Sequence, residues 1–143
     1  MALAININDL LNKQKIESNR IEFKKGWNPG SIYHSICAFA NDLDDLGGGY
    51  IIVGVDTDDK TGMAIRPVEG VPMENIDNIL QEMVGYNNKM TPYYLPRTSV
   101  EEVDGKQLIV IWWACWQLPS IFCACKRNSE RDKRIFLHSQ WHK

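Results

Sequence analysis

The hydrophobic positions change period several times along the chain, and each change predicts an element. Residues 1–19 read as a helix, with Asn8 as a capping residue and Leu10, Leu11 and Ile16 as a partial apolar face. Arg20 to Lys25 alternates, with Ile21 and Phe23 on one side, and predicts a short half-buried strand. Asn28-Pro29-Gly30 marks a turn, and Ser31 can cap a helix over 31–46 whose stripe is Ile32, Ile36, Phe39, Ala40 and Leu43. After Gly47-Gly48-Gly49, the run Tyr50 to Val55 is apolar without alternation, which predicts a central strand buried on both faces.

The second half repeats this grammar. Asp56 to Gly62 is a polar turn, and Met63 to Val68 predicts a short strand. Glu74 to Val84 carries Ile76, Ile79, Leu80, Met83 and Val84 at helical spacing, while Asn87 to Pro96 reads as a loop. Ser99–Val103 and Gln107–Trp112 predict two strands joined at Asp104-Gly105, a dipeptide suited to a two-residue hairpin turn. The sum is an α+β fold, a mixed sheet with flanking helices and with the Tyr50–Val55 strand at its centre.

Composition narrows the function classes. The chain has 143 residues, 44% hydrophobic and 24% charged, with a net charge of -2. This is ordinary globular usage, and it provides no strong overall pull on nucleic acid or anionic lipid, so any such binding must be local. No apolar run approaches the roughly 18 residues a membrane span needs, and no secretory leader is evident at the N-terminus. The expectation is a cytoplasmic protein without membrane partners.

One spaced pattern is more specific than the rest. It consists of Glu17 followed by Glu22-Phe23-Lys24, then Ala38-Phe39-Ala40-Asn41, then Gly48-Gly49-Tyr50-Ile51-Ile52-Val53-Gly54-Val55-Asp56. In order and spacing it resembles the Schlafen AlbA_2 domain, also labelled a divergent AAA or DNA-binding domain, over about residues 8–112. The resemblance implies an α+β fold and a nucleic-acid-facing role with DNA or RNA as partner. It further implies the N-terminal part of a bacterial transcriptional regulator or helicase-like protein, with a winged-helix region downstream. Asn41, Gly48, Gly49 and Gly54 are the structural positions of the motif. The glycine run has the order helix–glycine–strand, whereas a phosphate-cradling loop needs strand–glycine–helix, and no G-x4-G-K-[ST] occurs. No ATP site is expected.

Two candidate chemistries share the motif. Arg20, Lys24 and Lys25, with Lys13 and Lys15 nearby, form a local basic region beside Trp27 and Tyr33, as backbone binding with aromatic stacking requires. Glu17, Glu22 and Asp56, with Asp58 or Asp59 as substitutes for the last, form a candidate three-carboxylate site for a divalent cation. Eukaryotic Schlafen relatives are endoribonucleases with carboxylates at positions that look like these, so the resemblance implies Mg2+ or Mn2+ as cofactor if the chain is a nuclease. The plainer reading pairs Glu17 with Arg20 and Glu22 with Lys24 or Lys25. A third class is a non-catalytic interaction module, such as a homodimer.

The grammar ends after Trp112. Three of four cysteines and four of five tryptophans fall at or beyond this point, followed by a charge run from Lys126 to Arg134. Cys123, Cys125, His138 and His142 nearly form a zinc site, but the cysteines stand one residue too close. A Cys–His pair with His34 or His138 has no supporting spacing. A frameshift accounts for the clustering better. With suitable codons, a one-base shift after Trp112-Trp113 turns the tail into a Pro-Ala-Gly turn, a helical Ala-Lys-Glu-Ile-Lys-Glu and an alternating strand. The expected organisation is therefore a domain over 1–113 and an atypical tail over 114–143, out of frame naturally or through a sequence error.

Overall fold

The structure, a computed structural model, describes residues 6–12, 20–40, 49–91, 95–113 and 122–123. Its elements are α1 (Ile7–Asn12), β1 (Ile21–Lys24), α2 (Pro29–Ala40), β2 (Gly49–Val53), α3 (Met73–Asn87), β3 (Met90–Thr91), β4 (Arg97–Val103), β5 (Lys106–Trp113) and β6 (Phe122–Cys123). Four strands form a mixed sheet in the order β1-β2-β5-β4. β1 runs parallel to β2, and the other two pairings are antiparallel. The α+β expectation is met, with the strand beginning at Tyr50 inside the sheet.

Both sheet faces are covered, which is why β2 reads as apolar without alternation. Ile51, Val53, Ile109 and Ile111 face one core with Ile32, Tyr33 and Ile36 of α2 and Ile76, Ile79 and Met83 of α3. Phe23, Ile52, Leu108 and Val110 face the other core with Ile7, Leu10 and Leu11 of α1 and with Val55 and Val68 from the connection after β2. Gly49 begins β2 because α2 and β1 leave no room there. A methyl on it would lie 2.9 Å from the Arg20 carbonyl oxygen and 3.0 Å from the Phe39 ring.

Several boundaries differ from the sequence expectation. Leu10 N donates to the Asn6 carbonyl, so α1 starts before Asn8, which lies inside the helix. α2 starts at Pro29 rather than after Ser31. The Ser31 N–H donates to Asn28 Oδ1 at 3.3 Å, making Asn28 the cap with proline in the first helical position. Val84 is 52% exposed, and the buried stripe of α3 continues through Asn87 instead. The expected strand over Met63–Val68 reduces to a single bridge between Thr57 and Ala64. Here Asp58 Oδ1 takes the backbone N–H groups of Lys60 and Thr61, and local turn bonds replace a ladder. The loop expected after Asn87 contains β3, held by pairing with β6. Of the expected tail, only Phe122–Cys123 are described.

The hairpin turn follows its chemistry. Asp104 and Gly105 have φ of 54° and 72°, the left-handed pair of a type I′ turn. Asp104 also accepts from Arg66 Nε at 3.0 Å, from Arg66 Nη2, and from the Val68 N–H at 3.2 Å, tying the post-β2 connection to the hairpin. The Arg66 hydrogen bonds hold its carboxyl below the ordinary carboxylate range. A carboxyl depressed by folding stabilises the protein above its unfolded value, near about pH 4, and the contribution is lost as pH falls through the folded value. Asp104→Asn, which keeps the turn geometry, should therefore lower the urea midpoint at neutral pH. The gap to wild type should close below about pH 4. Equal midpoints at pH 7 would show that the Arg66 pair is not stabilising.

Candidate nucleic-acid interface

β1 is an edge strand, and its period of two divides the motif. Ile21 and Phe23 turn toward the second core, while Glu22 and Lys24 turn to the α2 side. On that side Lys24 Nζ lies 2.5 Å from Glu22 Oε1 and donates to Ser31 Oγ at 3.0 Å. The chain then leaves the strand, and Lys25 reaches Asp56 Oδ2 at 3.0 Å and Glu69 Oε1 at 3.1 Å. These hydrogen bonds raise the Lys25 ammonium above its ordinary value. The Lys25 bond, with help from the Thr57 N–H, holds the Asp56 carboxyl below its own.

The candidate cations and the candidate carboxylates are thus one interleaved set. Lys24 answers Glu22, and Lys25 answers Asp56. A divalent ion would have to displace an ammonium at each carboxylate. Glu17, Lys13 and Lys15 lie outside the described residues, as do Asn41 and Gly48 of the motif. Among the described residues, no group of three His, Cys, Asp or Glu side chains is arranged to hold a metal. Asp58 spends a carboxylate oxygen on its own turn, and Asp59 is exposed. Of the near-zinc pattern, Cys125, His138 and His142 lie outside the described residues. Cys37 is disulfide-bonded, which leaves it no thiol to pair with His34.

The aromatic residues near β1 have other duties. Trp27 packs at the margin of the first core and donates Nε1–H to Glu82 Oε2 at 2.7 Å. Tyr33 corrects the sequence expectation of a stacking residue. It is 1% exposed, and its hydroxyl donates toward Asn87 Oδ1 at 2.6 Å, with the Met83 carbonyl also in reach at 2.9 Å. Its ring stacks on Tyr86 with centroids 5.0 Å apart. It lies inside the α2–α3 contact because the helical stripe places it beside Ile32 and Ile36.

Strand register assembles a group that linear spacing hides. Ile21 pairs with Tyr50, Tyr50 with Trp112, and Trp112 with Arg97, forming one row across all four strands. The Tyr50 and Trp112 rings lie 6.2 Å apart and 11° from parallel. The Arg97 guanidinium sits 5.2 Å from the Trp112 centroid. Within each strand these residues look like ordinary strand ends, so only the pairing reveals them.

Comparison with known proteins agrees with the architecture. The family model described as Schlafen, AlbA_2 matches residues 17–136. The chain is similar to the solution NMR structure of the N-terminal domain of a Nitrosomonas europaea protein described as an ATP-dependent DNA helicase RecG-related protein. The identity is 26% and the TM-score 0.56, over 94% of this chain and 96% of that one. It also matches the crystal structure of a protein from Corynebacterium diphtheriae at 21% identity and a TM-score of 0.45, over 74% of this chain and 22% of that one. No curated protein matches.

Proposed function

The chain belongs to the Schlafen AlbA_2 family, and from that premise we propose that it is a nucleic-acid-binding module of a longer bacterial regulator or helicase-like protein. The observation that carries this reading is the likeness, over nearly the whole of both chains, to an N-terminal domain from a DNA helicase-related protein. No helix among the described residues is long and apolar enough to cross a membrane. The cations of the reading are Arg20, Lys24 and Lys25, and their placement fits backbone rather than base contact. The two lysines are held on short ion pairs at the end of β1, where phosphate oxygens can replace or share the carboxylate partners. The overall charge of -2 makes the binding local and easily screened.

Three phosphate contacts on duplex DNA correspond to a slope of about −2.7 in log K against log salt. Affinity measured by fluorescence anisotropy should then fall about 40-fold from about 50 to about 200 mM salt. Arg20→Gln, Lys24→Gln and Lys25→Gln should each flatten the slope by about one, without changing preference among sequences. Undetectable binding at low salt, or binding indifferent to salt, overturns the reading.

A further inference from the structure

The row across the sheet extends the nucleic-acid reading, on which it rests. Tyr50 is half-buried against the second core, its strand partner Trp112 is also half-buried, and Arg97 at the end of the row is exposed. The Arg20 carbonyl oxygen accepts from the Tyr50 N–H at 2.7 Å; burial raises the Tyr50 hydroxyl pKa, and the Arg20 charge partly offsets that rise. Two aromatic rings in near-parallel register thus stand in a row that runs from Ile21 to the Arg97 guanidinium.

Core packing alone does not account for this arrangement. A row serving only the second core would repeat the Phe23, Ile52 and Val110 row two residues along the strands, which is aliphatic at both central positions and fully buried. Here the central positions are large planar groups left partly open to solvent. Two adjacent aromatic rings partly open to solvent suit contact with unpaired bases, and the Arg97 cation beside them suits a flanking phosphate. A duplex offers no base faces to such a surface, because its bases are already stacked on one another.

We propose that Tyr50, Trp112 and Arg97 form a stacking platform for the unpaired bases of single-stranded nucleic acid, with Arg97 placed for a phosphate. The platform lies on the α1 side of the sheet, opposite the Glu22–Lys24 pair, so the two sets can be tested separately.

The test compares three fluorescein-labelled probes on the full chain at low salt: a thymidine strand of about twelve nucleotides, the same length of abasic strand, and a duplex. Wild type should bind the base-bearing strand roughly tenfold more tightly than the abasic one. Trp112→Leu and Tyr50→Leu, checked for folding by circular dichroism, should lose most of that preference. Lys25→Gln should keep it while weakening all probes alike. Equal affinity of wild type for base-bearing and abasic strands overturns the platform and leaves the nucleic-acid reading standing. This comparison needs no variant to fold. Retained preference in a folded Trp112→Leu also overturns it. Failure of wild type to bind any probe at low salt defeats the broader reading and the platform with it.

Discussion

Gly54→Ala is expected to destabilise the fold by about 2–6 kcal/mol, a large share of a domain's stability. Gly54 follows β2 directly with φ of 106°, a conformation that costs a residue bearing a Cβ about 1–3 kcal/mol. There is also no space for the added methyl. It would lie 2.8 Å from Leu108 Cδ2 and 3.0 Å from the Gly70 Cα. Leu108 is fully buried, so crowding adds about 1–3 kcal/mol. The position is fixed from both sides, since Gly54 N–H donates to the Lys24 carbonyl at 2.7 Å and its own carbonyl accepts from Gly70 N–H at 2.8 Å. Urea unfolding measures the effect. Gly85→Ala is the control, because Gly85 lies exposed in α3 with nothing within 4 Å of an added Cβ. That change should stabilise the protein by about 0.5–1 kcal/mol through helix propensity. If both variants shift the midpoint alike, the tight crossing of the Gly54 and Gly70 backbones is not what the glycine serves.

Tyr33→Ala should cost about 3–5 kcal/mol, the range for removing a buried aromatic ring. Tyr33→Phe separates the hydroxyl from the ring. It leaves Asn87, 1% exposed, with a carboxamide oxygen stripped of its 2.6 Å donor, at a cost of about 1–3 kcal/mol. Neither change should alter the affinity of folded protein for nucleic acid, because the ring is sealed between α2 and α3. A Tyr33→Phe variant that kept full stability would show that the hydroxyl bond is not worth its burial. One that lost affinity while fully folded would return Tyr33 to the binding surface.

These two residues show where the sequence is legible. Periodicity placed α2 and α3, because side-chain burial follows the 3.6-residue repeat of the helix, while the Asp104-Gly105 dipeptide placed the hairpin and an unbroken apolar run the central strand. It misjudged element ends, where capping by Asn28 rather than Ser31, or Asx turns around Asp58, decide between close alternatives. It also took Tyr33 for a surface residue by its nearness to Lys24 and Lys25 in the chain. A helix rotates that residue inward, whatever its sequence neighbours do.

The candidate site divides in the same way. The spacing of Glu17, Glu22, Lys24 and Asp56 carries the family, and a local alternation puts Glu22 and Lys24 on one side of a strand. The sequence by itself determined the family, the fold class and which residues are polar at the start of β1. Only the tertiary structure decided their partners. Lys25 meets Asp56 and Glu69, 31 and 44 positions away, because β1 and β2 run parallel and end together. The Tyr50–Trp112–Arg97 row likewise exists only through register, which sets residues from strands far apart in the chain about 5 Å from one another. Periodicity assigns each side chain a face of its own element. Which side chain stands opposite is set by the pairing of elements, and no local pattern in the chain encodes it.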